Sequence, residues 1–425
     1  MGRPKKITPT VEKAPARLPG TRDILPEDIL PREIFLEKLS TLAHTFGYSR
    51  IETPVVEDAR LFRTWQAGSK DKLISFPGNS GVTFALKPTN VFSLARCYLE
   101  YHFFEREKIS KWFYASDITA LNESEIRQET EYGFQTFGES NPIADSQLIN
   151  LVFRLFTEMG LSNLSLEVNN IGCLECQPAY EDVLRNFFKE KKYDLCENCV
   201  ELLDTHPLQI LACNNLSCST VAAEAPVIVD FLCDACRRHF IGVLEGLDEL
   251  EIAYNLNQKV IGKPWSRKTV FEVRSKHPNG EVTVGAGGHA DDLIQSLGGN
   301  PAQALGFRGT VENVLTALNQ SQVKFAVQHK ADVFLVPLGE LAAKKTLRLF
   351  TDLWNHNIVA SEFIGPGSIK TQLKLAESNK VAIALIIGQK EAREGTVILR
   401  DVKSGMQELF TTERIIEEVK KRLGK

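Results

Sequence analysis

The sequence predicts an α+β protein: a large mixed or antiparallel sheet with flanking helices, followed by a smaller α/β domain. Three observations carry this. Over the first three hundred residues, helix-period and strand-period segments follow one another with short connections. Near residues 319–332 the pattern changes to strand–helix–strand alternation. Between them, in residues 171–245, eight of the nine cysteines fall into four close pairs within a segment that reads as mostly helical.

In chain order, residues 1–16 are polar and basic and read as a flexible arm; the Gly-Arg-Pro-Lys-Lys run at 2–6 fits a solvated tail or a minor-groove contact. Apolar residues recur at helical spacing from Pro26 to Thr45, and Gly47 stops that helix. Ser49–Val56, Val82–Leu86, Lys111–Ile118, Glu131–Gly138 and Leu164–Val168 have strand character, with helices at Val91–His102 and Ser146–Met159. Strands resume at Glu251–Asn255, Thr269–Arg274 and Val282–Gly285, the last running into Gly287-Gly288-His289, which reads as a turn. Past residue 320, Ala331–Pro337, Ile358–Glu362, Val381–Gly388, Val397–Leu399 and Gln407–Leu409 read as strands. Leu341–Trp354, Ser368–Ser378 and Glu413–Leu423 read as helices. The expected organisation is an arm at 1–16, a core at 17–320 containing the 171–245 insertion, and a domain at 321–425.

Length and composition narrow the class. A chain of 425 residues suggests two or three domains at about 150 residues each. With 43% hydrophobic and 24% charged residues it fits neither a disordered nor a collagen-like protein, and no apolar run reaches the roughly 20 residues that span a bilayer. Met1–Arg17 has no apolar core and so is no secretory signal, which predicts a cytoplasmic protein with no membrane partner. The formal charge of -4 is unevenly spread. Residues 321–425 carry 17 Lys and Arg against 12 Asp and Glu, a net +5, which leaves -9 on the preceding 320 residues. A basic end on an acidic body hints at a polyanion partner there.

The cysteine pairs are Cys173/Cys176, Cys196/Cys199, Cys213/Cys218 and Cys233/Cys236. A close pair on a turn aims two sulfurs at one ion, and two pairs complete a tetrahedral site, so the segment has ligands for two structural Zn2+ ions. The alternatives are reduced, partly buried thiols or, in an oxidising compartment, disulfides. The spacing leaves open which pair shares an ion with which. Cys97 stands alone in a helical segment and reads as a small buried apolar residue.

Several motifs, in order, resemble those of the histidyl-tRNA synthetase family. They are Pro19-Gly-Thr-Arg-Asp-Ile-Leu-Pro26, Gly47-Tyr-Ser-Arg-Ile-Glu-Thr-Pro54 with Val56-Glu57, Leu86-Lys-Pro88, Phe137-Gly138, Thr269-Val-Phe-Glu272, Ala286-Gly-Gly288 and Gly306-Phe307. Ser368-Ile-Lys-Thr-Gln-Leu-Lys-Leu-Ala376 and Asp401-Val-Lys-Ser-Gly405 resemble the family's anticodon-binding domain, and the paired-cysteine segment resembles an insertion found in some bacterial members. The resemblance covers residues 17–425. It implies a class II synthetase-like antiparallel sheet core, a homodimer with Asp23 and Glu57 near its interface, and tRNA contact through residues 321–425. It also implies activation of histidine with ATP and Mg2+ before transfer to the tRNA 3′ end.

The positions that serve this chemistry in the family are altered here. The second motif's Phe-Arg-x-Glu-Arg becomes Ile118-Thr-Ala-Leu-Asn-Glu123, with Ala120 near the place of the arginine that grips the α-phosphate. The loop after it is short and carries Glu123 and Glu125, where phosphate contacts call for Lys and Arg. Arg127-Gln128 matches the family. Arg-Pro-Glu-Gly-Thr becomes Lys87-Pro-Thr-Asn-Val91, so Thr89 stands for the carboxylate that holds the substrate amine. A Gln and a Glu of the pocket become Glu131 and Gln135. Arg-Gly-Leu-Asp-Tyr-Tyr becomes Gly262-Lys-Pro-Trp-Ser266, leaving Lys263 or Arg267 as replacement charges. Gly-Gly-Arg-Tyr-Asp becomes Gly287-Gly-His-Ala-Asp291, so that His289 is either a turn residue or a pocket group. Gly-x-Glu-Arg becomes Thr310-Val-Glu-Asn313, so that Asn313 stands for an arginine that lies on ATP. Each preorganised charge on a developing anion contributes about 10²–10³ in rate. The substitutions therefore predict an aminoacylation-deficient paralogue that binds tRNA or a protein partner, with no catalytic residue retained. The alternatives are an active histidine–tRNA ligase with a rearranged site, and a regulatory subunit similar to that of ATP phosphoribosyltransferase. Trp265 reads as a packing residue or a base-stacking one.

Overall fold

The computed structural model describes residues 15–78, 81–278, 280–325, 331–362 and 368–424. The basic run at 2–6 and most of the predicted arm lie outside them. The chain divides into two compact units, residues 1–324 and 325–425.

The first unit is built on an eight-stranded sheet. Its spatial order is Ser49–Arg50, Ser110–Asn122, Glu125–Phe137, Ala304–Thr310, Gly280–His289, Arg267–His277, Leu164–Asn170 and Tyr254–Leu256. The six inner strands are mutually antiparallel, and only the two short edge strands pair in parallel. The predicted strand Ser49–Val56 is in fact two. Ser49–Arg50 joins this sheet, while Val56–Asp58 pairs with Thr83–Leu86 in a separate three-stranded sheet. The helix Pro26–Thr45 has the predicted bounds. Pro26 starts it, Glu27 and Asp28 complement its N-terminal dipole, and Phe35, Leu39, Leu42 and Ala43 form its buried stripe. Phe35 meets Tyr132 edge-on at 4.8 Å and fixes the helix on the sheet.

The predicted turn at Gly287-Gly288 is continuous strand, Gly280–His289. The glycines there serve close approach. A Cβ on Gly287 would lie 2.3 Å from the Phe271 ring, and one on Gly306 in the neighbouring strand 2.6 Å from Gln135 Oε1. Without side chains at these points, the middle of the sheet is a bare floor.

The cysteine segment forms helices Gln177–Glu190, Glu197–Leu202, Leu216–Ala223 and Asp234–Glu249 around a core of Tyr180, Leu184, Phe188, Ile210 and Leu211. Residues 325–425 form a five-stranded sheet in the order Ala360–Glu362, Val333–Pro337, Ile383–Ile387, Thr396–Asp401, Gln407–Thr411. Its first three strands are parallel and its last two antiparallel, with helices Glu340–Asn355, Ile369–Ser378 and Ile415–Leu423. Strands Val333–Pro337 and Ile383–Ile387 are buried on both faces, which is why they read as near-continuous apolar runs.

Candidate functional site

The bare floor opens into a cavity of about 400 Å³ over the central strands. Strand periodicity of two sends Arg127, Glu131 and Gln135 to one face, and all three line it. Lys263, Trp265, Glu272, His289, Arg308 and Asn313 line it from neighbouring segments.

Glu131 is the best-held charge in the cavity. It is 1% exposed. Its Oε1 accepts from the Asn90 backbone N–H at 2.8 Å and from the Tyr114 hydroxyl at 3.2 Å. Its Oε2 accepts from the Thr89 hydroxyl at 2.9 Å and from Arg308 Nη1 at 3.1 Å. A buried carboxylate requires such a donor set. The Glu131 carboxylate thus lies directly against the Thr89 hydroxyl. Burial, with the Glu131 charge next in effect, pushes the Tyr114 phenol well above its ordinary value. Gln135 donates to the Leu305 carbonyl at 3.1 Å.

Arg308 was not singled out in the sequence, where it sits between Phe307 and Gly309 without a motif of its own. Its guanidinium also lies over Trp265, 5.8 Å from the ring centroid. Trp265 packs edge-on against Phe92, so that it is both a core residue and a cavity wall. Arg127 is paired with Asp71 at 2.7 Å and Glu129 at 3.2 Å. Arg267 is engaged by Asp292 at 2.6 Å and is not among the lining residues, whereas Lys263 is.

Ala120 is 1% exposed and packs in the apolar cluster with Trp65, Trp112 and Tyr114; it is covered by Trp65 and Tyr114, which line the cavity while Ala120 itself does not. The Asn313 amide donates to the Thr283 carbonyl at 3.1 Å. Glu123 and Glu125 are exposed at the tight turn between the two longest strands, where Glu123 takes a left-handed φ of 50°.

His289 is not a turn residue. It ends its strand at 1% exposure, with Nε2 2.9 Å from Asp145 Oδ1 and Nδ1 3.3 Å from Asp291 Oδ1. Burial alone would lower its pKa, but Asp145 and then Asp291 outweigh this and raise it to about 10. Lys268 in turn holds Asp291 at 2.6 Å.

The cysteines form two groups: Cys173, Cys176, Cys233 and Cys236, and Cys196, Cys199, Cys213 and Cys218. The pairing is thus nested, with the outer two pairs together and the inner two together. Sγ–Sγ distances of 3.6, 3.9, 3.8 and 4.0 Å match the roughly 3.8 Å expected between sulfurs on a tetrahedral ion with bonds of about 2.3 Å. The Cys173 N–H points at Cys176 Sγ within its own pair, and the Cys196 N–H points across to Cys218 Sγ of the other pair in its group, both at 3.1 Å. Burial pushes the Cys173 thiol up, but hydrogen bonds from Cys176 and Glu175 outweigh it and hold it at about 7; the Cys199 backbone N–H does most to hold Cys196 at about 7. The residues fit a thiolate-bound metal ion in both groups.

Residues 20–257 match the family model "Histidyl-tRNA synthetase", and residues 332–422 match "Anticodon binding domain". The chain is 32% identical to the histidine–tRNA ligase of Dehalococcoides mccartyi, over 95% of this chain and 99% of that one. The apo histidyl-tRNA synthetase of S. aureus superposes with a TM-score of 0.81 at 24% identity, covering 95% of this chain and all of that one. A Bacillus halodurans structure titled ATP phosphoribosyltransferase regulatory subunit/histidyl-tRNA synthetase shares the fold, with a TM-score of 0.63 at 19% identity over 90% and 99% of the two chains.

Proposed function

The chain belongs to the histidyl-tRNA synthetase family, and from that premise we propose that it is an aminoacylation-deficient member that binds tRNA through residues 321–425. The observation that carries this is the state of Ala120 and Asn313. One is sealed in an apolar cluster and the other is tied to the Thr283 carbonyl, so neither presents a cation to a phosphate. The side chains at these two positions do not fit a nucleoside triphosphate. Glu123 and Glu125 add negative charge at the turn where an RNA 3′ end would approach.

A second reading is an active ligase with a rearranged site, using histidine, ATP and Mg2+. It is favoured by one observation: Arg127, Lys263 and Arg308 line the same cavity as the carboxylate of Glu131. Histidine-dependent ATP–pyrophosphate exchange separates the two. The first reading expects none above background, and the second expects exchange that is lost on Arg308→Ala.

The remaining parts of the proposal have separate supports. The two four-cysteine groups suit structural Zn2+ by their sulfur spacing. The exposed Val55, Val56, Phe76 and Phe84 around the small sheet support a homodimer. No helix among the described residues is long and apolar enough to cross a membrane; the likeness to histidine–tRNA ligases supports a cytoplasmic location. The net charge of +5 on residues 321–425 supports tRNA as the partner. Recovery of one tRNA species with the purified chain tests that assignment, and RNA content no higher than background would overturn it.

A further inference from the structure

Three elements converge beside the cavity floor. Asp145 lies in the first turn of helix Pro142–Glu158, His239 in the second turn of helix Asp234–Glu249, and His289 at the end of strand Gly280–His289. The two helices can approach closely because Gly242 faces Pro142 and Gly246 faces Ser146. A Cβ at Gly246 would lie 2.4 Å from Ser146 Oγ, and that hydroxyl donates to the Val243 carbonyl at 3.1 Å. The contact carries His239 out of the cysteine-rich segment and up to the sheet.

We propose that Asp145, His239 and His289 form a third metal site, for a divalent transition-metal ion of the zinc class. One ligand atom from each residue lies within 4.8 Å of the other two. Asp145 Oδ1 is 2.9 Å from His289 Nε2, and Oδ2 is 3.6 Å from His239 Nε2. Ligand atoms on a tetrahedral ion with bonds of about 2.0–2.1 Å sit roughly 3.3 Å apart, inside that spread. Two further features point to a ligand. Both ring nitrogens of His239 are buried with no hydrogen bond, an arrangement that costs stability unless something is bound there. His289 turns its other nitrogen to Asp291, which Lys268 anchors; ligating histidines commonly hold such an outer carboxylate. Two imidazoles and one carboxylate suit zinc-class ions and leave the fourth position open.

The site is independent of the cysteine groups and of whether the cavity catalyses anything. Its test is therefore a difference. The full chain and its His239→Phe variant, both from zinc-supplemented cells, are compared for zinc per chain by mass spectrometry. The site predicts one equivalent fewer in the variant. After cobalt substitution it predicts loss of only the d–d contribution of this site, with the d–d and charge-transfer bands of the two thiolate groups unchanged. Equal zinc in the two proteins would overturn it and leave His289 as a protonated bridge between Asp145 and Asp291. If the variant fails to fold, anomalous scattering at the zinc edge from crystals of the parent chain decides. A peak among the three ligand atoms supports the site, and its absence there overturns it.

Discussion

Arg308 Nη1 meets Glu131 Oε2 at 3.1 Å across 177 positions of sequence, joining two adjacent strands of the central sheet over the cavity. The pair gives the cavity a carboxylate and a guanidinium at a spot where neither the Thr89 position nor the Asn313 position supplies one. Arg308→Ala leaves Glu131 buried with hydroxyl and amide donors but no bonded counter-charge, only the nearby Lys87 ammonium. Because Arg308 is one-quarter exposed, the cost should fall below that of a fully buried pair, at about 1–2 kcal/mol. A thermal melt should show a fall of a few degrees, and Arg308→Lys should recover only part, since a lysine cannot reproduce the fork.

The nested cysteine pairing makes an arithmetic prediction. Cys176→Ser with Cys233→Ser damages one group, so one zinc equivalent should be lost. Cys176→Ser with Cys199→Ser damages both, so two should be lost. A sequential pairing of Cys173/Cys176 with Cys196/Cys199 would reverse these results. Metal analysis of the two double variants reads the difference directly.

Glu167 gives a pH dependence with a definite sign. Burial alone would raise its pKa, but bonds from Ser165, Asn257 and Asn255 outweigh that and hold it below its ordinary value of 4.5. A carboxylate depressed in the folded state contributes stability above its unfolded pKa and loses it as pH falls through the folded one. Stability should thus decline below about pH 4.5, and Glu167→Gln should flatten that part of the curve. Denaturant titrations of both proteins between pH 3 and 6, taken at roughly half-unit steps, measure it.

Trp354 ends helix Glu340–Asn355 at 72% exposure, two turns from the exposed Leu347. If residues 321–425 meet RNA, an exposed indole offers a stacking platform worth about 1–3 kcal/mol per base. Trp354→Ala should then weaken tRNA binding roughly 5- to 100-fold. Filter binding at fixed salt checks this, with zinc content as the control for folding.

How much of this was legible depended on the range of the interactions involved. Helix Pro26–Thr45 could be read because its buried face recurs at a fixed local period, and strands Val333–Pro337 and Ile383–Ile387 because each is a short continuous apolar run. The cysteine knuckles could be read for the same reason, since each is a matter of three to five residues. Their pairing could not, because Cys173 and Cys233 meet across 60 positions. Arg308 carried no local signal, and its partner is set by strand order. His289 looked like a turn residue because paired glycines usually mark turns; here Gly287 makes room for the Phe271 ring and Gly288 for the Thr269–Val270 backbone of the neighbouring strand. Ala120 was visible as a substitution, but only the packing shows that its position is closed.

The central claim is that the cavity no longer activates an amino acid. The most direct measurement is ATP–pyrophosphate exchange by the zinc-loaded full chain at saturating histidine and Mg2+, with an active family member as the positive control. The account predicts exchange indistinguishable from the protein-free blank. Exchange that rises with histidine concentration and disappears in Arg308→Ala would contradict it.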